Sequence, residues 1–189
     1  GSSLLNDIIQ IDKNFLIFLN NLGNEQWDPI WLGITNQIHW SPLFIFVFYL
    51  VIKSFGWKRG AFMILAMIVL VAFSDQFTNL IKNSVQRLRP NNDPEIKHLL
   101  RHLINPQSYS FMSGHATTST FFAVFVVLLL KDSYKYIYFI LLFPLLFAYS
   151  RLYLGVHFPI DICVGILIGT ILAKIYFTGF KKLDKKLFT

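Results

Sequence analysis

Cysteine is almost missing from this 189-residue chain, which has one, Cys163. A single thiol excludes a disulfide framework and any cysteine-rich metal site. Its apolar surroundings, "DICVGILIG", mark it as an inert packing residue. Charge is sparse too, at 14 % of residues, and acidic side chains are outnumbered 10 to 17, for a net charge of +7. No internal repeat is present, which rules out a solenoid. No secretory signal pattern follows Gly1-Ser2-Ser3, a stretch that reads as a remnant of expression and is set aside.

What fills the chain is apolar: 54 % of residues are hydrophobic, and 20 are phenylalanine. That richness points to a membrane as solvent rather than an aqueous core, and the length suits one domain. The basic excess fits an anionic partner such as phosphate or anionic lipid. Nucleic acid is disfavoured, because the lysines and arginines flank apolar spans instead of forming a soluble basic face.

A helix needs roughly 20 mostly apolar residues to cross the hydrocarbon. Four segments qualify: Gly60 to about Ile81, Ala116 to Leu130, Tyr134 to about Ser150, and Pro159 to Phe177. A fifth, from about Pro29 to Phe55, opens with the polar "TNQIHWS" and is expected to start at the interface, anchored by Trp27, Trp31 and Trp40. Upstream, Leu4, Leu5, Ile8, Ile11, Phe15, Phe18, Leu19 and Leu22 recur at helical spacing, with Asp7, Asp12 and Lys13 on other faces. That pattern predicts an amphipathic helix lying on the membrane. The expected fold is therefore an all-α polytopic membrane bundle of five transmembrane helices plus an N-terminal interfacial helix. Its expected parts are an interfacial segment (1–28), a transmembrane domain (29–180) and a basic cytoplasmic tail (181–189).

Alternating spans put the basic segments Lys53–Arg59, Lys131–Lys135 and Lys181–Lys186 on one side, which the positive-inside rule makes cytoplasmic. The opposite side still carries Lys82, Arg87, Arg89, Lys97, Arg101 and Arg151, an unusual amount of positive charge for an outer face. Three polar islands gather there. In "KNSVQRLRP", Lys82 and Arg89 lie about two turns apart and share a face if the helix continues to Pro90. In "SFMSGHATTS", Ser113 and Gly114 can cap a helix whose free amides and dipole favour an anion, with His115 in the first turn. In "SRLYLGVHFPID", Arg151 ends one span and Pro159 suits the start of the next. His157 then falls four residues before Asp161, whose carboxylate can hold one ring nitrogen and leave the other basic. Each island has a bland reading as snorkelling cations, a helix cap or a structural pair. Together they assemble phosphate-binding and phosphoryl-transfer chemistry at membrane depth, where ionisable groups tend to be functional. The same reading leaves two roles open. Asp75, in a polar stripe with Ser74, Thr78 and Asn79, is either a buried hydrogen-bond partner or a wall of a headgroup cavity. Arg87, Lys97, His98, Arg101 and His102 either screen an acidic headgroup or form a solvated loop.

These islands resemble the three-part signature of the type 2 phosphatidic acid phosphatase (PAP2) superfamily, which also includes the vanadium haloperoxidases. The chain reads Lys82 through Arg89-Pro90, then Met112-Ser113-Gly114-His115, then Ser150-Arg151 through His157 to Asp161. Met112 departs from the usual proline. The resemblance implies His157 as nucleophile oriented by Asp161, His115 as general acid and base, and Lys82, Arg89, Ser113, Gly114 and Arg151 as phosphate ligands. It implies no metal and no cofactor. The partners expected are a lipid phosphate substrate and the bilayer, at a bacterial inner membrane with the site facing outward. Substrates implied are polyprenyl diphosphates such as undecaprenyl diphosphate, phosphatidylglycerophosphate, phosphatidic acid or lipid A phosphate. The rival classes are a vanadate-dependent haloperoxidase and a non-catalytic lipid-binding protein.

Overall fold

The computed structural model describes residues 2–189; Gly1, at the head of the expected interfacial segment, lies outside them. Among the described residues the regular structure is entirely helical. Six α-helices follow in order: α1 (Ser2–Asn21), α2 (Asp28–Thr35), α3 (Ser41–Val85), α4 (Gly114–Leu130), α5 (Leu142–Tyr153) and α6 (Pro159–Phe188). A 3-10 stretch, Lys135–Leu141, leads into α5 and completes that apolar pass.

α3 is two helices joined at a hairpin. Gly56 adopts φ 82°, a left-handed conformation that a side chain would disfavour. The chain reverses there, so that Gly60 lies against Ile52, where a Cβ would come within 3.0 Å of the Ile52 Cα. The arms 41–55 and 57–85 therefore cross as an antiparallel pair, and with α4, the α5 pass and α6 they make five apolar passes. The expected first span begins later than the hydropathy implies. Residues before Ser41 form the separate α2 and a short 3-10 turn, Gln37–Trp40, because the Asn36 side chain caps the Ile38 amide. Trp31 and Trp40 are not free interface anchors. Trp31 packs on Tyr149 and Tyr153, and Trp40 on Phe143, with its indole N–H donating to the Ile34 carbonyl at 2.7 Å. Trp27 stays half exposed.

α4 forms the axis of the bundle. It is the most apolar helix, and its buried face meets α6 closely because Gly165 and Gly169 carry no side chain. A Cβ on Gly169 would fall 2.6 Å from the Thr117 carbonyl oxygen. Small residues are what let two membrane helices approach in this way. The largest core cluster joins Val47, Leu50, Met63, Met67, Leu70, Phe121, Phe125, Phe143 and Phe180 across α3 to α6. Outside it, Ile45, Phe46, Leu65, Val69, Leu145, Leu167 and Ile175 are exposed, forming the apolar flank a bilayer would cover. The three basic segments meet at one end, as alternating spans require: Ser54 Oγ donates to Tyr134 Oη at 3.0 Å, and Arg59 pairs with Asp184 at 2.6 Å.

α1 behaves as an amphipathic helix with a difference. Leu4, Leu5, Ile11, Phe15, Phe18 and Leu22 face outward, while Leu16, Asn20 and Asp12 are buried against the bundle. Asp12 is thus on no solvent face: the bundle supplies it with partners. Asn20 donates to the Tyr153 carbonyl at 3.0 Å and accepts from the Arg101 amide at 2.8 Å, pinning α1 over the α5–α6 turn.

Candidate functional site

The site forms where that turn meets the ends of α3 and α4. Lys82 lies on the last turn of α3, but Arg89 does not continue its helical face. Gln86 turns left-handed at φ 57°, its amide bonded to the Lys82 carbonyl, so the helix ends at Val85, ahead of Pro90. Arg89 enters from an extended loop instead. Its Nε and Nη2 donate to the Ser108 carbonyl and hydroxyl, both at 2.8 Å, which fixes the guanidinium plane.

Arg89 Nη1 then reaches Nε2 of His157 at 3.3 Å. A guanidinium only donates, so Nε2 presents its lone pair and the ring proton resides on Nδ1. Nδ1 faces Ser110 Oγ at 3.4 Å and Asp161 Oδ2 at 3.5 Å. Ser110 in turn donates its hydroxyl to Asp161 Oδ2. The carboxylate also accepts the Phe158 amide at 2.9 Å and the Arg87 guanidinium at 3.1 Å. Asp161 is fully buried. Losing one partner of such a buried ion pair costs on the order of 3–5 kcal/mol. His157 is 1 % exposed. Burial, aided by the Arg89 and Arg151 charges and opposed by the bond to Asp161, pushes its pKa down to about 3. The imidazole is therefore neutral at physiological pH, with Nε2 unprotonated and its lone pair turned to Arg89.

Ser113 caps α4 as its sequence predicts, its Oγ accepting the Ala116 amide at 3.1 Å. Gly114 opens the helix beside Lys82 and Thr78, whose Nζ and Oγ1 would each lie 3.6 Å from a Cβ placed there. The His115 ring rests on Phe147, with centroids 4.6 Å apart. Arg151, buried at the end of α5, donates from Nη1 to Thr35 Oγ1 at 3.0 Å, and its Nε has no acceptor among the described residues. The structure thus brings together all eight of the residues singled out from sequence. It adds Ser108, Ser110 and Thr35 as their partners. Ser110 is the first residue of the second island and Ser108 stands two residues before it, the only signal that sequence offers for them.

Lys97, His98 and His102 stay exposed, as a solvated loop would have them, whereas Arg87 and Arg101 do something other than either expected role. Arg87 turns inward to Asp12 and Asp161, and Arg101 pairs with Asp28 at 2.5 Å beside the Tyr153 hydroxyl. Both are consumed by buried carboxylates. Among the described residues, no group of three His, Cys, Asp or Glu side chains is placed to hold a metal ion.

A cavity of about 510 Å³ leads away from His115 and Gly114 between the arms of α3, α4 and α5. Its walls are mostly apolar, including Phe44, Phe48, Val71, Phe122 and Phe147. One polar strip holds Ser41, Asp75, Thr118 and Ser119. Asp75 thus lies on a cavity wall, and Thr118 donates weakly to it at 3.4 Å.

The PAP2 superfamily pattern matches residues 59–185. The chain belongs to the PAP2 superfamily. Among relatives of this PAP2 protein, the lipid A 4'-phosphatase of Bacteroides thetaiotaomicron is 32 % identical over 84 % of the chain and 72 % of its own length. That of Porphyromonas gingivalis is 29 % identical over 87 % and 70 %. The transmembrane PAP2-type phosphatidylglycerolphosphate phosphatase of Bacillus subtilis superposes with a TM-score of 0.75 at 21 % identity, covering 94 % of this chain and 87 % of that one. LpxE of Aquifex aeolicus gives 0.63 at 24 %, over 87 % and 93 %. These two structures show that the fold is shared. The PAP2 protein is an integral membrane protein, and the site lies among its membrane-spanning helices.

Proposed function

We propose that this PAP2 protein is a membrane lipid phosphatase that passes the phosphoryl group first to Nε2 of His157 and then to water. The observation that carries the reading is the pairing of Nε2 with Arg89, which leaves a lone pair on the nitrogen beside a fixed guanidinium. In the first step that lone pair forms a bond to phosphorus, and the bond to the leaving oxygen breaks. The oxygen takes the electron pair and a proton from His115. In the second step His115 takes a proton from water, the hydroxide bonds to phosphorus, and the P–N electrons return to Nε2. Lys82, Arg89, Arg151 and the amides of the α4 N-terminus hold the three phosphoryl oxygens as charge shifts among them.

The leaving group meets His115, so it lies in the cavity that His115 lines. Asp75 stands on the same cavity wall and makes no salt bridge among the described residues. A carboxylate there accepts hydrogen bonds from hydroxyl or amide groups and repels a second phosphate. This favours a phosphate monoester on a polar, hydroxylated headgroup, as in lipid A, over a prenyl diphosphate. The membrane in question is a bacterial inner membrane, with the site on its outer face, because the basic segments cluster at the opposite end.

Replacing His157 by Ala tests the reading. Purified protein should stop releasing phosphate from lipid phosphates while its melting temperature holds, and acid-labile phosphoenzyme should be trapped only with His157 present. Unchanged turnover would refute it.

A further inference from the structure

Arg87 joins two carboxylates that are far apart in the chain. Its Nη1 lies 3.1 Å from Asp161 Oδ1 and its Nη2 2.8 Å from Asp12 Oδ2. The guanidinium lies over the Phe158 ring, 3.8 Å from its centroid, so its plane is fixed between the two. Its own backbone carbonyl accepts the Ser110 amide at 2.8 Å, and Ser110 donates to Asp161. Asp12 meanwhile accepts the Ile160 amide at 3.0 Å through Oδ1, in the first turn of α6 that carries Asp161. Burial pushes the Asp12 carboxyl above its usual range, and Ile160 and Arg87 oppose that push.

We infer that Asp12, on α1 and outside residues 59–185 that carry the family pattern, is a positioning residue for the His157–Asp161 pair, acting through Arg87. The inference rests on His157 being the nucleophile. Asp161 is held by a fork whose far prong is fixed by Asp12. Without that second anchor, Arg87 keeps only the Phe158 face and Asp161 itself to orient it, and Asp161 and the imidazole lose their shared orientation. A small misplacement of a reacting group is enough to slow the chemical step without weakening substrate binding.

The test measures kcat, KM and melting temperature for full-length protein in detergent with a lipid phosphate monoester. Asp12→Asn keeps the shape and should lower kcat about 10- to 100-fold, with KM unchanged within about two-fold. Arg87→Lys keeps the charge but loses the fork, and should fall similarly. The double variant Asp12→Asn/Arg87→Lys should be no slower than Arg87→Lys alone, because both act through one contact. Lys13→Met is the control. Lys13 ties the same helix to Asp93 and Glu95 at 3.2 and 2.9 Å without touching Asp161, so its kcat should hold.

Normal kcat in Asp12→Asn or in Arg87→Lys would overturn the inference. So would a loss confined to KM, additive losses in the double variant, or an equal fall in Lys13→Met, which would mean that helix docking alone matters. If His157→Ala retained turnover, the mechanism itself would fail, an outcome distinct from these.

Discussion

Arg89 Nη1 and His157 Nε2 stand 3.3 Å apart, and the guanidinium that meets the imidazole is itself held by Ser108. In the proposed mechanism one side chain therefore both meets the nucleophilic nitrogen and offers a donor to the phosphoryl group beside it. A lysine cannot reproduce this planar fork. Arg89→Lys should lower kcat/KM by a factor on the order of 10² to 10³, the range for losing one preorganised donor. Steady-state kinetics on a lipid phosphate would check it, and near-normal kinetics would count against the role.

His115 lines the cavity and, in the proposed mechanism, is the proton donor to the leaving oxygen. Its loss should slow hydrolysis of an alkyl phosphate by about 10² to 10⁴. An aryl phosphate with a good leaving group needs less protonation, so His115→Ala should retain far more of its activity on that substrate. Equal losses on both would remove the general-acid assignment.

Asp75 is predicted to select the headgroup. Asp75→Ala should reduce kcat/KM for a hydroxylated monoester such as a lipid A phosphate and raise it for a prenyl diphosphate, narrowing the ratio by about 10-fold or more, since hydrogen bonds to charged groups contribute about 1.5–3 kcal/mol. Parallel assays on the two substrates decide it. A ratio that does not move would show Asp75 to be no more than a wall residue.

His157 also gives the fold a pH dependence. Its pKa falls from 6.5 in an ordinary setting to about 3 when folded. Between those values the unfolded chain binds a proton that the folded chain refuses, so this contribution is complete above pH 6.5 and is lost as pH falls toward 3. The melting temperature should drop across that window, and His157→Gln, which cannot titrate, should flatten part of the drop.

Gly169 sets the α4–α6 distance. Alanine there would press on the Thr117 carbonyl, and Gly169→Ala should cost about 1–3 kcal/mol as the helices part. Thermal unfolding in detergent would report it as a clearly lowered melting temperature.

The three polar islands are legible in sequence because each is local. The spacing of His157 and Asp161 across the Pro159 helix start, and the Ser113 cap before Gly114, are set by a few neighbouring residues. The passes are legible from apolar length, and the first reversal falls at Gly56, inside the basic segment Lys53–Arg59 that separates the first two expected spans. The separation of α2 from the helix that starts at Ser41 is not, because it depends on the Asn36 cap. Spacing alone puts Lys82 and Arg89 on one helical face with Pro90 as the terminator, whereas Gln86 ends the helix first. Asp12, Ser110 and Thr35 were not legible as site partners, since their contacts exist only once distant segments have packed. Arg87 and Arg101 were ambiguous for the same reason. A charge in a loop shows its sign in sequence, but the carboxylate that claims it lies elsewhere in the fold.

The cavity that meets His115 is bordered by Ile38 and Ile68, both more than half exposed. A lipid that enters there would slide in from the leaflet and never have to leave it. Encounter is then a search in two dimensions, and the quantity that governs turnover is the mole fraction of substrate in the surface. Diluting it with inert lipid or detergent would slow the enzyme at constant bulk concentration.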